Sequence, residues 1–288
     1  MSCSRLLLTL GLFALLTLSG CASITGGLTQ GQANAPRASK ESAEALRLAR
    51  ILRDNGRLEA ACGVYGRMDE RNELSPTQLL EYATVAANVR SAQQSLALFG
   101  RARQQLGGDG QLKPAEKFAI SLGLARARLS LGQTDSAAQD FANALRIAPQ
   151  STEALNGIGV IASSQGRSDQ AQQAFNQVLE IEPSNQAALN NLALVYLDAG
   201  QPQKTIDLLQ SVEQNSSPTL VLNLSLAYLL QGNETLARQV LDQSLPTIQT
   251  TPLFGQLQAS AQRIREGQRA SSELLNASRR PLALNTLH

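Results

Sequence analysis

Apolar and polar positions divide this chain into blocks with different periods. After one early charge at Arg5, a predominantly apolar run without charges extends from Leu6 to Leu18. That is too short for a membrane span and has the layout of a secretory signal, which predicts removal of residues 1–20. Residues 21–40 are mostly Gly, Ser, Thr, Gln, Asn and Ala, with Pro36 among them. Such a stretch cannot bury enough apolar surface to order itself, so it reads as a flexible tether. From residue 41 to residue 250 the apolar residues recur at helical spacing in short segments punctuated by Gly, Asn and Pro. Residues 251–276 carry Leu253, Leu257, Ala261, Ile264 and Leu274 at roughly helical spacing, which predicts a capping helix. The remainder, 277–288, is a polar tail containing Arg279, Arg280 and Pro281.

The middle block repeats. Gly132, Ala137, Phe141, Ala144 and Pro149 return 34 residues later as Gly166, Ala171, Phe175, Val178 and Pro183. Gly200 lies a further 34 residues on and Gly232 another 32, with Ala237 and Leu241 in the following slots. Backwards, Gly56, Ala61 and Tyr65 hold the same spacing, and a weaker copy from Pro76 places Ala83, Arg90, Ser95, Phe99 and Ala102. Each slot has a physical reason. The Gly makes a turn between two helices, and Ala125, Gly159 and Ala193 let the second helix approach the first. The large residue, Phe141, Phe175 or Leu209, wedges between neighbours, and the Pro ends the second helix.

This spacing resembles the tetratricopeptide repeat (TPR) over roughly residues 42 to 246. The resemblance implies an all-α, right-handed superhelical solenoid of about six helix-turn-helix repeats, with the first helix of each lining the concave side. Residues 41–106 are expected to form degenerate N-terminal repeats, 107–113 a loop insertion, and 114–250 the clear repeats. Irregularity is expected where Arg90 replaces the turn Gly, where Thr205 replaces a small Ala, and at Val212.

The segment Leu18-Ser19-Gly20-Cys21 resembles a bacterial lipobox. That implies acylation of Cys21 and stable anchoring by several acyl chains without a membrane span. Cleavage near Ala22 by an ordinary signal route would instead leave Cys21 without a role. Ala22 in place of an Asp implies the outer membrane, facing the periplasm. Cys3 leaves with the signal, so Cys62 remains alone and cannot form an internal disulfide; it reads as a small packed hydrophobe.

Charge and composition narrow the function. Net charge is +2, from 25 basic and 23 acidic residues, which gives no basic face for nucleic acid. His288 is the one histidine, so neither a His-based triad nor a two-His metal helix fits within the repeats. Gly107-Gly108-Asp109-Gly110 lacks the Lys-Ser/Thr of a phosphate loop. Asp135, Asp140, Glu180 and Glu182 fall at polar helix or turn positions. These features predict no enzyme, no metal, no cofactor and no small-molecule substrate, but a scaffold for other proteins.

The first helices place Asn156, Asn190, Asn191 and Asn223 on the expected groove. Asparagine is a poor helix former whose amide both donates and accepts, so the row can bind the backbone of an extended partner or can pack within its own array. Leu194, Leu197, Leu226, Leu229 and Leu230 are expected beside it, on helices apolar nearly all round. Such helices must be covered, either by a partner or by the chain's own C-terminal segment. The succession Leu155-Asn156-Gly157-Ile158-Gly159-Val160, Asn190-Asn191-Leu192-Ala193-Leu194 and Pro218 to Tyr228 resembles the TadD family, lipoproteins of tight-adherence (Flp) pilus systems. That resemblance implies a role in assembling or localising the pilus channel at the outer membrane, with the secretin or another machine component as partner. An adaptor for murein enzymes or for outer-membrane assembly is the other reading.

Overall fold

The computed structural model describes residues 40–211, 217–245 and 247–273. The expected signal peptide, Cys21, nearly all of the tether, Val212, Leu274 and the polar tail lie outside them. Thirteen helices fill the described residues: α1 (Lys40–Asp54), α2 (Leu58–Glu70), α3 (Pro76–Ala86), α4 (Ala92–Gln105), α5 (Pro114–Ser130), α6 (Thr134–Ile147), α7 (Thr152–Ser164), α8 (Ser168–Ile181), α9 (Gln186–Asp198), α10 (Pro202–Leu209), α11 (Pro218–Leu230), α12 (Glu234–Ser244) and α13 (Thr247–Arg265). A further helical turn occupies 270–273. Consecutive helices pack as six pairs, and each pair stacks on the next, as a solenoid requires.

Gly56, Gly132, Gly166, Gly200 and Gly232 all have left-handed φ, from 67° to 83°. Each sits in a three-residue connection inside a pair, where glycine reverses the chain without a Cβ penalty. The α3–α4 connection has Arg90 instead and takes no positive φ; it is longer, spanning residues 87–91. Ser91 then starts α4 with a reciprocal capping box to Gln94. The expected irregularity at Thr205 is absorbed by a hydroxyl. Buried Thr205 on α10 donates to the Ala193 carbonyl of α9 at 3.2 Å. In the next pair the donor lies on the first helix, where Ser225 of α11 donates to the Ala237 carbonyl of α12 at 2.9 Å. The same two slots thus exchange an alanine and a hydroxyl.

The wedge residues hold the pairs together. Tyr65, Phe99, Phe141 and Phe175 are 0–2 % exposed. Phe175 closes on Gly159 of its own pair, where a β-carbon would lie 2.5 Å from the ring. Two further glycines, which the period alone does not single out, receive the ring of the preceding pair. A β-carbon on Gly123 would lie 2.1 Å from Phe99 Cζ, and one on Gly157 would lie 2.3 Å from Phe141 Cζ. Both glycines stand nine residues before the turn glycine of their pair. In the second pair the same position holds Glu81, nine residues before Arg90, and it meets the Tyr65 wedge by accepting its hydroxyl at 3.0 Å. Glu81 also accepts from Arg50 Nη2 at 2.6 Å and Arg50 Nε at 2.9 Å, so α1, α2 and α3 converge on one carboxylate.

Two measurements test this packing. Gly157→Ala should lower the melting temperature. About 1–3 kcal/mol of overpacking against Phe141 outweighs about 1 kcal/mol of gained helix propensity. Adding Phe141→Leu should recover part of the loss, so the double variant loses less than the sum; additivity in thermal melts would refute the ring-in-slot contact. Alkaline titration of stability tests the first cluster. Burial, then the Glu81 bond and charge, push the Tyr65 phenol from 10.0 up to about 12. The fold therefore favours the neutral phenol, and this contribution, complete below pH 10.0, should be lost as pH climbs to about 12, while Tyr65→Phe should flatten that limb.

Candidate partner-binding face

The four asparagines lie on three successive first helices and bond to one another. Asn223 Nδ2 on α11 donates to Asn190 Oδ1 on α9 at 2.9 Å. Asn190 Nδ2 donates to Asn191 Oδ1 at 3.3 Å, and Asn191 Nδ2 donates to Asn156 Oδ1 on α7 at 3.1 Å. The row is a continuous amide ladder across α7, α9 and α11. Its two ends differ. Asn223 is fully buried, and its Oδ1 has no partner among the described residues. Asn156, Asn190 and Asn191 are half-buried, so the ladder opens to solvent at the α7–α9 end. There the amides keep unused donors and lone pairs that can bond a polypeptide backbone.

The expected leucines divide. Leu194 is half-buried beside the ladder, whereas Leu230 is half-buried against the cluster that α11 forms with α13. Leu197, Leu226 and Leu229 are instead 2 %, 0 % and 2 % exposed, packed in one cluster with Phe254, Leu257 and Ala261 of α13. They do not line an open groove. The reason is tertiary: α13 packs on α11 and α12, so the chain's own terminal helix covers the apolar side of α11. The helix starts at Thr247 and carries Pro252 within it, and it stops at Arg265 near Gly267 (φ 101°), where one continuous helix over 251–276 was expected.

The segment after α13 folds back one pair further, an arrangement that no periodicity signals. Asp198, at the end of α9, is only 11 % exposed. It accepts from Arg269 Nη2 at 3.0 Å, from the Ser271 backbone N–H at 3.0 Å and from Ser271 Oγ at 2.6 Å. A carboxylate at a helix C-terminus is opposed by the helix dipole, and these donors offset that cost. Ala270 is buried in the same cluster as Leu197, and Arg265 donates to the Leu229 carbonyl. The accessible part of the face is therefore its middle, around Asn156, Asn190, Asn191 and Leu194, with Tyr196 and its cation–π partner Lys204 nearby.

A solvated face was expected for the carboxylates; Asp135, Glu180 and Glu182 are exposed, but Asp140 is buried, held against Arg128. Asp140 is raised by burial, an effect that the charge and hydrogen bond of Arg128, 2.5 Å away, oppose. Glu182 is exposed and lowered by its bonds from Asn185 and Thr152. Cys62 is buried beside Arg90 Nε, 3.3 Å away. Among the described residues no cluster of His, Cys, Asp and Glu is arranged to hold a metal, and no helix is long and apolar enough to cross a membrane.

Sequence and structure comparisons agree with this architecture. The tetratricopeptide repeat family matches residues 128–195 and 162–215. No curated protein matches the sequence as a whole. A tetratricopeptide repeat protein from Parabacteroides merdae superposes with TM-score 0.56 at 18 % identity, over 78 % of this chain and 86 % of that one. The Cut9–Hcn1 hetero-tetramer of the APC/C gives TM-score 0.60 at 17 % identity, over 75 % of this chain and 42 % of that one. The MamA protein gives 0.45 at 14 % identity, over 58 % and 87 %. Paired helices, glycine turns and wedge aromatics, together with the family match at residues 128–195 and 162–215 and the likenesses of TM-score 0.56 and 0.60, give the chain the fold of a tetratricopeptide-repeat solenoid; tetratricopeptide-repeat domains mediate protein–protein interaction.

Proposed function

We propose that this chain is a lipid-anchored scaffold of the tight-adherence (Flp) pilus machinery, held through Cys21 on the periplasmic face of the outer membrane. There it binds the secretin or another machine component. The observation that carries this reading is the half-open amide ladder of Asn156, Asn190 and Asn191, a polar face on a repeat array that follows a lipobox-like segment. Amides in such a row recognise main chain more than side chains, which suits a scaffold that engages an extended segment. The likeness of the Asn-bearing helices to the TadD family supports the choice of the pilus system. The accessible leucine, Leu194, adds apolar contact beside the ladder.

The test is affinity purification from detergent-solubilised outer membranes. Wild type is compared with the triple variant Asn156→Ala, Asn191→Ala and Leu194→Asp, which leaves the buried Asn223 and Leu226 intact. Wild type should retain pilus-channel proteins. Each lost amide bond is worth on the order of 1 kcal/mol, so loss of two should weaken binding roughly thirtyfold, and the charge at position 194 should weaken it further. Equal recovery would move the partner to another surface, and recovery of murein enzymes in place of channel proteins would overturn the pilus reading. In a separate fractionation, Cys21→Ser should shift the chain from membrane to soluble fraction; retention on the membrane would refute the anchor.

A further inference from the structure

The described chain continues past its cap. α13 closes the array by burying Phe254, Leu257 and Ala261 in one cluster with Leu226 and Leu229 of α11. It then ends in a left-handed glycine. Gly267 has φ 101°, its N–H donates to the Ile264 carbonyl, and the Gln268 N–H donates to the Arg263 carbonyl. Residues 268–273 turn back from there to α9, one pair earlier than the pair that α13 caps.

Register identifies the surface they reach. Two and three residues before the turn glycine, α5 has Ser130 and Leu129, and α7 has Ser164 and Ser163. Ser130 and Ser164 are exposed, and Leu129 and Ser163 are half-buried, so these positions belong to an open side of the array. In α9 the same positions are covered: the Asp198 side chain is 11 % exposed and Leu197 is 2 % exposed. Leu194 and Asn190 lie one and two turns back from Asp198 on the same face of α9. Residues 268–273 therefore adjoin the accessible amides on one continuous stripe.

The contact resembles that of a bound peptide. Asp198 receives a guanidinium N–H from Arg269 and a backbone N–H and a hydroxyl from Ser271, while Ala270 places its methyl in the cluster that holds Leu197. Gln268, Arg269 and Ser272 are exposed, and Glu273 ties the far end to Arg263 of α13 at 2.7 Å. A segment held by polar bonds and one buried methyl opens at lower cost than the helices beneath it.

We infer that residues 268–273 are an internal ligand of the partner-binding face, a latch that occupies Leu197 and Asp198 in the resting chain and yields them to a partner segment carrying a cation beside a small apolar side chain. The inference rests on the reading of the asparagine face as the partner's site and adds its regulation. Opening the latch extends the accessible stripe of α9 from Asn190 and Leu194 to Asp198, so an incoming chain gains the charged contact only by displacing the latch.

The measurement is fluorescence anisotropy with the full chain in detergent micelles, and the probe is a labelled peptide of residues 266–273. The variant Arg269→Glu, Ser271→Pro and Glu273→Lys removes the latch's polar ties to Asp198 and Arg263. Proline is tolerated at 271 because the N–H that it removes bonds Asp198. A latch closed in roughly nine chains of ten at an effective concentration of about 1 mM implies a free-peptide Kd of about 0.1 mM. The opened variant should bind the peptide at that strength. Wild type should bind about tenfold more weakly because its own latch competes, and so should the opened variant carrying Asp198→Asn, which loses the charge-assisted bonds. A peptide that does not bind the opened variant at about 2 mM, binds wild type equally well, or is indifferent to Asp198→Asn overturns the inference. Should the triple variant lose helical circular dichroism, Arg269→Glu alone, a change at an exposed side chain, takes its place with the same expectations. No pilus protein enters this measurement, so the latch can fail while the ladder variant still loses its partner, and the reverse.

Discussion

The structure depends on one recurring contact: a large side chain on the second helix of a pair inserted into the first helix of the next. Phe99 enters at Gly123 and Phe141 at Gly157, both at distances that exclude any β-carbon. Tyr65 meets Glu81 in the same register position and satisfies its hydroxyl there. Because a single pair cannot bury its own apolar face, these insertions are what convert separate hairpins into one array. They also explain a composition with 3 % aromatic residues and no Trp. A few rings at fixed intervals close the inter-pair spaces, and alanines, many of them fully buried, let the helices approach around them.

The amide ladder follows from a change in that same position. The slot that is glycine in α5 and α7 becomes Asn191 in α9 and Asn223 in α11. The wedge that would face Asn223 in this register is Leu209, smaller than a phenylalanine, so the later slot has room for a side chain where the earlier ones have none. Asparagine disfavours helix, and leaving the Asn223 Oδ1 buried without a partner costs about 1–3 kcal/mol. An apolar residue at that slot would avoid both costs. What the amide provides is the anchored end of a ladder whose other members reach the surface; the buried bond from Asn223 fixes the orientation of Asn190, which in turn orients Asn191 and Asn156.

Most of the fold was legible in the sequence because its signals are periodic. A glycine at a left-handed turn and an aromatic nine residues later repeat at 34 residues, and neither needs tertiary knowledge to be recognised. The asparagine row was legible for the same reason, but its internal bonding was not, because amide contacts between residues 35 and 33 positions apart depend on how far one pair rotates over the next. The leucines show the limit more sharply. Leu194 and Leu197 lie on one helix, yet only the first stays accessible, and Leu226 and Leu229 are wholly enclosed. Their fate is decided by α13 and by the Asp198 contacts, which join residues 71 and 73 positions apart outside any repeat. The longer α3–α4 connection was visible only as a missing glycine. The proposed acylation and outer-membrane address would be covalent and targeting properties set by the first residues, and packing within the array carries no information about them.

The terminal elements follow from the same stacking rule. An array built by inserting each pair into the next has one end that lacks a pair after it and one that lacks a pair before it. At the first, Phe254 and Leu257 of α13 are buried against the array, and the exposed positions 251, 252, 255, 256, 259 and 262 hold no large apolar side chain on which a further pair could stack. At the second, nothing among the described residues substitutes for the missing pair, and the stacking positions keep their apolar identity. Leu48 lines a cavity with Ala45 of its own helix and Val64 and Met68 of α2, so part of its apolar surface serves the packing of the first pair. Arg47 stands exposed at the position that later pairs fill with Glu81, a glycine or an asparagine, so the first helix keeps the register of the repeat without, among the described residues, the contact that this register serves elsewhere.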